Sequence, residues 1–242
     1  MNKLIARIFF SLVFLSSSNL YADLVWSETF LDADDAATDR AIATGSGNMD
    51  VAGNLDYLSG ALVITPDGGS DRVEMESTAA ALAGNFTFDA FRTGTGNGSL
   101  FVQMVDGDER STGSNTVADF SDTLNMASIT TSTTINYYFN VSGAPITYAA
   151  PDATTETLAN NAFELWIGTS KSGGDDQVTT NNDGGLPTAG VDTLILQTFV
   201  GQAPGVYTFD NISFNTVAAV PEPSSMTLFG TLGLVLLRRK RR

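Results

Sequence analysis

Through the middle of the chain, apolar and polar positions alternate in short runs that break at Gly, Asn, Asp and Pro. Nine such runs cover residues 24–30, 61–65, 72–76, 85–91, 100–105, 134–141, 162–168, 193–200 and 206–214. In 162–168, Phe163, Leu165 and Ile167 fall on one face and Glu164 and Trp166 on the other, the period-two pattern of a strand. Phe86 with Phe88, and Tyr207 with Phe209, repeat it. Runs of this length with turn residues between them predict an all-β fold, a single β-sandwich. Helical periodicity is nearly absent, and 77–83 is the one short helical candidate. The Gly/Asp/Asn-rich stretch 171–190 reads as one long loop. No repeat or linker divides the body, so residues 23–216 are expected to form one domain.

Charge sharpens the picture. Residues 23–220 hold five basic residues (Arg40, Arg72, Arg92, Arg110 and Lys171) against 26 acidic ones, a net of −21. Such a body repels nucleic acid and anionic polymers, because phosphate binding depends on Lys and Arg displacing counterions; cations and neutral sugars remain as partners. The chain has no Cys and no His. Disulfides, the usual zinc and haem sites, and Ser-His-Asp or Cys-His chemistry are therefore not expected.

The ends carry the remaining cations. Lys3 and Arg7 precede an apolar run over 8–15, a polar stretch, and Tyr21-Ala22. That is the order of a secretory signal peptide (1–22), handed through the Sec translocon to signal peptidase and cut after Ala22. At the other end Val220, Pro221, Glu222 and Pro223 lead to an apolar segment over 226–237, then to Arg238, Arg239, Lys240, Arg241 and Arg242. The prolines keep the strip around Glu222 extended. The apolar segment would span about 18 Å as a helix, short of a hydrocarbon core of about 30 Å, so it suits transient insertion in the inner membrane. The basic cluster acts as a membrane stop that keeps the C-terminus cytoplasmic and places the body on the other side.

This three-part tail (217–242) resembles the PEP-CTERM sorting signal of Gram-negative bacteria. The resemblance implies recognition by an exosortase, a polytopic membrane cysteine transpeptidase. Cleavage near the Pro-Glu-Pro motif and release or transfer to the cell surface would follow, often in bacteria that make exopolysaccharide. The start of the body, Trp26-Ser27-Glu28-Thr29-Phe30, and its end over 207–214 resemble jelly-roll modules of the carbohydrate-binding, galactose-binding-like kind. That resemblance implies that the first and last strands lie side by side. It also implies that an acidic residue from each, Glu28 and Asp210 by position, helps to hold a structural calcium ion. A concanavalin-like or laminin-G-like sandwich has nearly the same strand pattern, so the topology stays open. The fold expected is a jelly-roll-like sandwich with an N-terminal signal peptide and a C-terminal sorting helix.

Calcium takes about six to eight oxygen ligands. Further candidates are Asp32, Asp34 and Asp35; Asp106, Asp108 and Glu109; and Asp175, Asp176 and Asp183. None fits EF-hand spacing, and Asp-Gly is also ordinary turn vocabulary. For sugars, Trp166 on the polar face of its strand, with Tyr137 and Tyr138, could form an aromatic platform; the alternative is that these rings pack in the core. Two carboxylates suffice for a glycosidase, but 26 acidic residues make a chance pair unavoidable. The expectation is a non-enzymatic, exported surface or matrix protein with a structural or adhesive role and exopolysaccharide as the ligand. The alternative is a carbohydrate-active enzyme, a glycoside hydrolase or lyase, on the same scaffold.

Overall fold

The computed structural model describes residues 23–30, 40–41, 44–45, 47–67, 69–95, 98–106, 119–177, 186–187, 189–198 and 205–217. The strands among them are β1 (Asp23–Glu28), β2 (Arg40–Ala41), β3 (Thr44–Gly45), β4 (Gly47–Ala52), β5 (Leu55–Tyr57), β6 (Leu62–Ile64), β7 (Arg72–Ala81), β8 (Ala83–Gly94), β9 (Ser99–Val105), β10 (Asp119–Asn125), β11 (Thr133–Asn140), β12 (Ile146–Ala149), β13 (Thr155–Leu158), β14 (Ala162–Ile167), β15 (Ser170–Gln177), β16 (Val191–Thr198) and β17 (Gly205–Thr216). The first sheet has the order β15-β14-β11-β8-β17-β1-β3, with β6 also on β17 and β5 on β6. The second runs β10-β9-β16-β7-β4-β2.

The chain repeatedly changes sheets: β7 to β8 to β9, β10 to β11, and β15 to β16 to β17. That winding is a jelly-roll sandwich, and its first and last strands pair, Asp23 opposite Thr216 and Glu28 opposite Ile212. Between the sheets lies an aromatic core. Phe86 stacks on Phe214 at 4.5 Å and on Phe139 at 5.9 Å, with Trp26 at 6.2 Å from Phe86. Phe120 of β10 meets Phe163 of β14 at 5.7 Å, one contact that joins the two sheets. Each such buried ring contributes about 1.5–3 kcal/mol of transfer free energy, which is how a chain without disulfides holds its fold.

Three local expectations need correction. The short helix over 77–83 is instead the end of β7 and the start of β8; pairing with β16 and β4 overrides the helix preference of its alanines. The supposed loop from residue 171 begins as strand β15, which closes an edge of the first sheet on β14. The third concerns the outer face of β14. There β12 and β13, a two-stranded hairpin paired only to itself, fold over Tyr138, Trp166 and Ala162 and bury a second apolar cluster with Ile146, Tyr148 and Leu158.

At the β4–β5 turn, Gly53 has φ +106°, and a Cβ there would lie 2.8 Å from the Cα of Asp71. Asp71 accepts from the Asn54 amide at 2.6 Å and from the Thr198 hydroxyl at 3.1 Å, which ties the turn to β16. Gly53→Ala is expected to cost about 2 kcal/mol through the strained φ and the displaced carboxylate. The change should show as a lower urea midpoint with an unchanged slope; an unmoved midpoint would refute this account of the turn.

Candidate functional site

The aromatic platform does not form. Tyr137 and Tyr138 are neighbours on one strand, so their side chains leave opposite faces of the sheet. Tyr137 points into the sandwich and is fully buried. Its hydroxyl donates across the core to Asp122 Oδ2 of β10 at 3.1 Å, and burial, then the Asp122 carboxylate, holds its pKa well above the usual range. Tyr138 and Trp166 share the outer face with Glu164, as the period-two reading requires, yet all three are buried because the hairpin covers them. Tyr138 stacks on Tyr148 with ring centroids 4.0 Å apart, and burial pushes its pKa up to about 12.

The polar members of that covered face form a closed network. The Tyr148 hydroxyl donates to Glu164 Oε2 and accepts from Trp166 Nε1 at 3.0 Å. Lys171 Nζ donates to Glu164 Oε1 at 3.0 Å and to Glu156 Oε2 at 3.1 Å, and sits 5.7 Å from the Trp166 ring centroid. Every strong group here has its partner inside the protein, so the network fastens the hairpin.

Glu28 and Asp210 lie on paired strands but do not share a site. Glu28 shares the core face with its partner Ile212 and is buried. Its Oε1 accepts from the Phe30 amide at 2.7 Å, fixing Phe30 in a left-handed conformation (φ 55°) with its ring stacked on Tyr57. Asp210 follows core-facing Phe209, sits beside Asp89 of β8, and accepts from the Asn211 amide at 2.7 Å. Glu28 thus faces the core while Asp210 faces away from it, and among the described residues no group of three or more acidic side chains is placed to hold a metal. Asp175 and Asp176 lie on β15. Asp32, Asp34, Asp35, Asp108, Glu109 and Asp183, like the sorting strip and the basic cluster, lie outside the described residues. Asp106 is described, and burial, then the carboxylate of Asp192, raises its pKa.

Polar side chains on both outer faces bond within the protein: on the second sheet Gln103 Nε2 donates to Asp119 Oδ2 at 2.8 Å, Gln197 Nε2 donates to Ser70 Oγ at 2.5 Å, and Arg72 pairs with Glu74 at 3.7 Å. On the first sheet, polar side chains bond mainly to one another: Asn85 to Thr87 at 2.7 Å, Thr87 to Asn136 at 2.8 Å, and both Thr134 and Asn211 to Asp89. On the second sheet, register fixes two rows across the strands. One is Ser121, Gln103, Ile195, Glu74 and Asp50; the next is Thr123, Phe101, Gln197, Arg72 and Ala52. Phe101, Gln103, Gln197 and Asp50 are half-buried, whereas Ser121, Ile195 and Glu74 are buried. Glu76 projects on the same face as Glu74, two residues along β7. Sequence alternation alone could not reveal these rows, since cross-strand neighbours depend on register.

Comparison with known proteins supplies what the described residues do not. Residues 219–242 match the family described as PEP-CTERM protein-sorting motif. No curated protein matches the chain. Among solved structures, the laminarinase from Rhodothermus marinus is similar at 14% identity and TM-score 0.45, over 83% of this chain and 99% of that one. The catalytic domain of an endo-1,3-beta-glucanase from Thermotoga petrophila gives 13% and 0.44, over 82% and 99%. A family 29 carbohydrate-binding module gives 11% and 0.39, over 86% and 97%. The protein is thus a β-sandwich carrying a C-terminal PEP-CTERM sorting signal. That signal marks it as an exported, cell-surface protein and implies processing by an exosortase. Among the described residues no helix is long and apolar enough to cross a membrane.

Proposed function

We propose that the sandwich is a non-catalytic binding module that attaches this exported protein to neutral polysaccharide, such as exopolysaccharide at the cell surface, through the outer face of the second sheet. The observation that carries the reading is the set of side chains around Phe101: Gln103 and Gln197 on neighbouring positions, their Nε2 groups held by Asp119 and Ser70 so that each Oε1 is oriented to accept, Asp50 further across, and a single cation, Arg72, paired with Glu74. A sugar ring can lay its C–H face on an aromatic ring while its hydroxyls pair with amides and carboxylates. A body of net charge −21 turns polyanions away.

A glycan array followed by calorimetry on the exported form tests this. Neutral glycans should bind, and Gln103→Ala with Gln197→Ala should weaken binding about tenfold through two lost hydrogen bonds. Asn136→Ala on the first sheet should leave it unchanged. Binding confined to anionic polymers, or an unaltered affinity in the double variant, would sink the proposal.

One observation favours a second reading, glycoside hydrolysis: Glu74 and Glu76 share a face of a central strand, with Asp50 directly opposite Glu74. Carboxylates about 5–10 Å apart are what such enzymes use. Release of reducing ends from a bound glycan, lost in Glu76→Gln while binding persists, would establish it; no release on prolonged incubation would discard it.

A further inference from the structure

The two ends of the body converge on one corner. Asp23 opens β1 opposite Thr216, the last residue of β17, and the Thr216 hydroxyl donates to the Asp23 carbonyl at 3.3 Å. One residue later, Val217 still belongs to the body. Its amide donates to the Ala83 carbonyl at 3.1 Å, and its half-buried side chain packs on the cluster that the β12–β13 hairpin closes. The hairpin is itself inserted at this corner, between Asn140 and Ala162, the paired ends of β11 and β14. The Asn140 side-chain amide ties down its base, within 2.8 Å of the Ala144 carbonyl and 3.1 Å of the Leu158 carbonyl. Two of the exposed large apolar side chains flank the same corner. Leu24 lies opposite Asn215, and Leu82 directly precedes Ala83.

Only Ala218, Ala219 and Val220 separate Val217 from Pro221. Four Cα steps reach at most about 14 Å. Whatever grips the Pro-Glu-Pro strip must therefore come up against this corner of the folded sandwich.

We propose that the β12–β13 hairpin positions the sorting tail. It fixes the root at Val217, offers Pro221–Glu222–Pro223 to the membrane-embedded peptidase on a three-residue tether, and makes the corner bearing Leu24 and Leu82 the surface that faces that enzyme. The inference rests on exosortase processing of the tail. The hairpin residues are positioning residues and have no part in the cleavage chemistry.

The test uses the full chain in an exosortase-bearing host, with the cleaved fraction read by intact mass. If the parent chain keeps its tail, exosortase processing itself has failed, and the positioning proposal falls with it. Where the parent is cleaved, deleting 218–220 should lower the cleaved fraction at least tenfold, and replacing them with Gly-Ser-Gly should leave it at the parental level. The chain has no native cysteine, so Ala83→Cys with Val217→Cys can lock the root by a disulfide outside the cytoplasm; the locked chain should be cleaved like the parent. Parental cleavage of the deletion variant would show slack at the root, and loss of cleavage on locking would show that the root must peel away. Impaired cleavage of the Gly-Ser-Gly variant would show that sequence, not length, matters. Any of the three overturns the proposal.

Discussion

Titrated from pH 9 towards 12, the protein is expected to unfold in one cooperative step as its tyrosines ionise. Burial pushes Tyr138 up to about 12. Burial and Asp122 raise Tyr137, and burial followed by the hydrogen bond to Glu164 raises Tyr148. Unfolded, each ionises near 10. A folded pKa above the unfolded one means the folded state binds the proton more tightly. The associated stability is fully present below about pH 10 and is lost as pH rises towards the folded value. Two units on Tyr138 correspond to at most about 2.7 kcal/mol before solvent screening, and Tyr137 and Tyr148 act in the same direction. The whole stability of a domain is only about 5–15 kcal/mol, so losses at three buried rings are expected to unfold it. Tyrosinate absorbance and near-UV circular dichroism should change together, and Tyr138→Phe should move the midpoint to higher pH. Ionisation near pH 10 with the near-UV signal intact would contradict the burial of these rings.

How much of this was legible beforehand depended on whether a residue's environment is set locally or by distant pairing. Alternation in 162–168 put Phe163, Leu165 and Ile167 on one face, and that face packs on the core, with Phe163 and Leu165 buried and Ile167 partly so, because the pleat is a local property. The same alternation put Trp166 on the other face but could not show that face to be covered. Its cover comes from Ile146–Ala149 and Thr155–Leu158, two four-residue strands too short and too polar to announce themselves. β10, Asp119–Asn125, hid for a similar reason: it offers the core only Phe120 and Leu124, and Asp122 between them reads as loop. Glu28 and Asp210 show the converse. Strand adjacency was visible in the resemblance, and β1 does pair with β17. Which side each carboxylate takes was decided by the irregular register between Asp210 and Ser213, which no composition encodes. The tail was read most fully, because a tag recognised by another protein has to be legible as sequence.

The network beneath the hairpin sets the other large expectation, that Lys171→Met costs about 3 kcal/mol and lowers Tm by about 10 °C. Glu164 is 1% exposed. Its charge is matched by Lys171 at 3.0 Å and by the Tyr148 hydroxyl, and Lys171 also holds Glu156, which is 32% exposed. Removing the cation strands a buried carboxylate, whereas Glu156 can turn to water; the cost therefore falls mainly on Glu164. If so, adding Glu164→Gln to Lys171→Met should recover most of the loss, since a neutral amide oxygen still accepts from Tyr148 and no charge is left buried. The damage should also be local first. β12 and β13 pair only with each other, so amide exchange should accelerate across 146–158 and at Val217 before it does in β8 or β17. A single variant within about 0.5 kcal/mol of the parent, or a double variant no more stable than the single, would mean that the ion pair is not what fastens the hairpin.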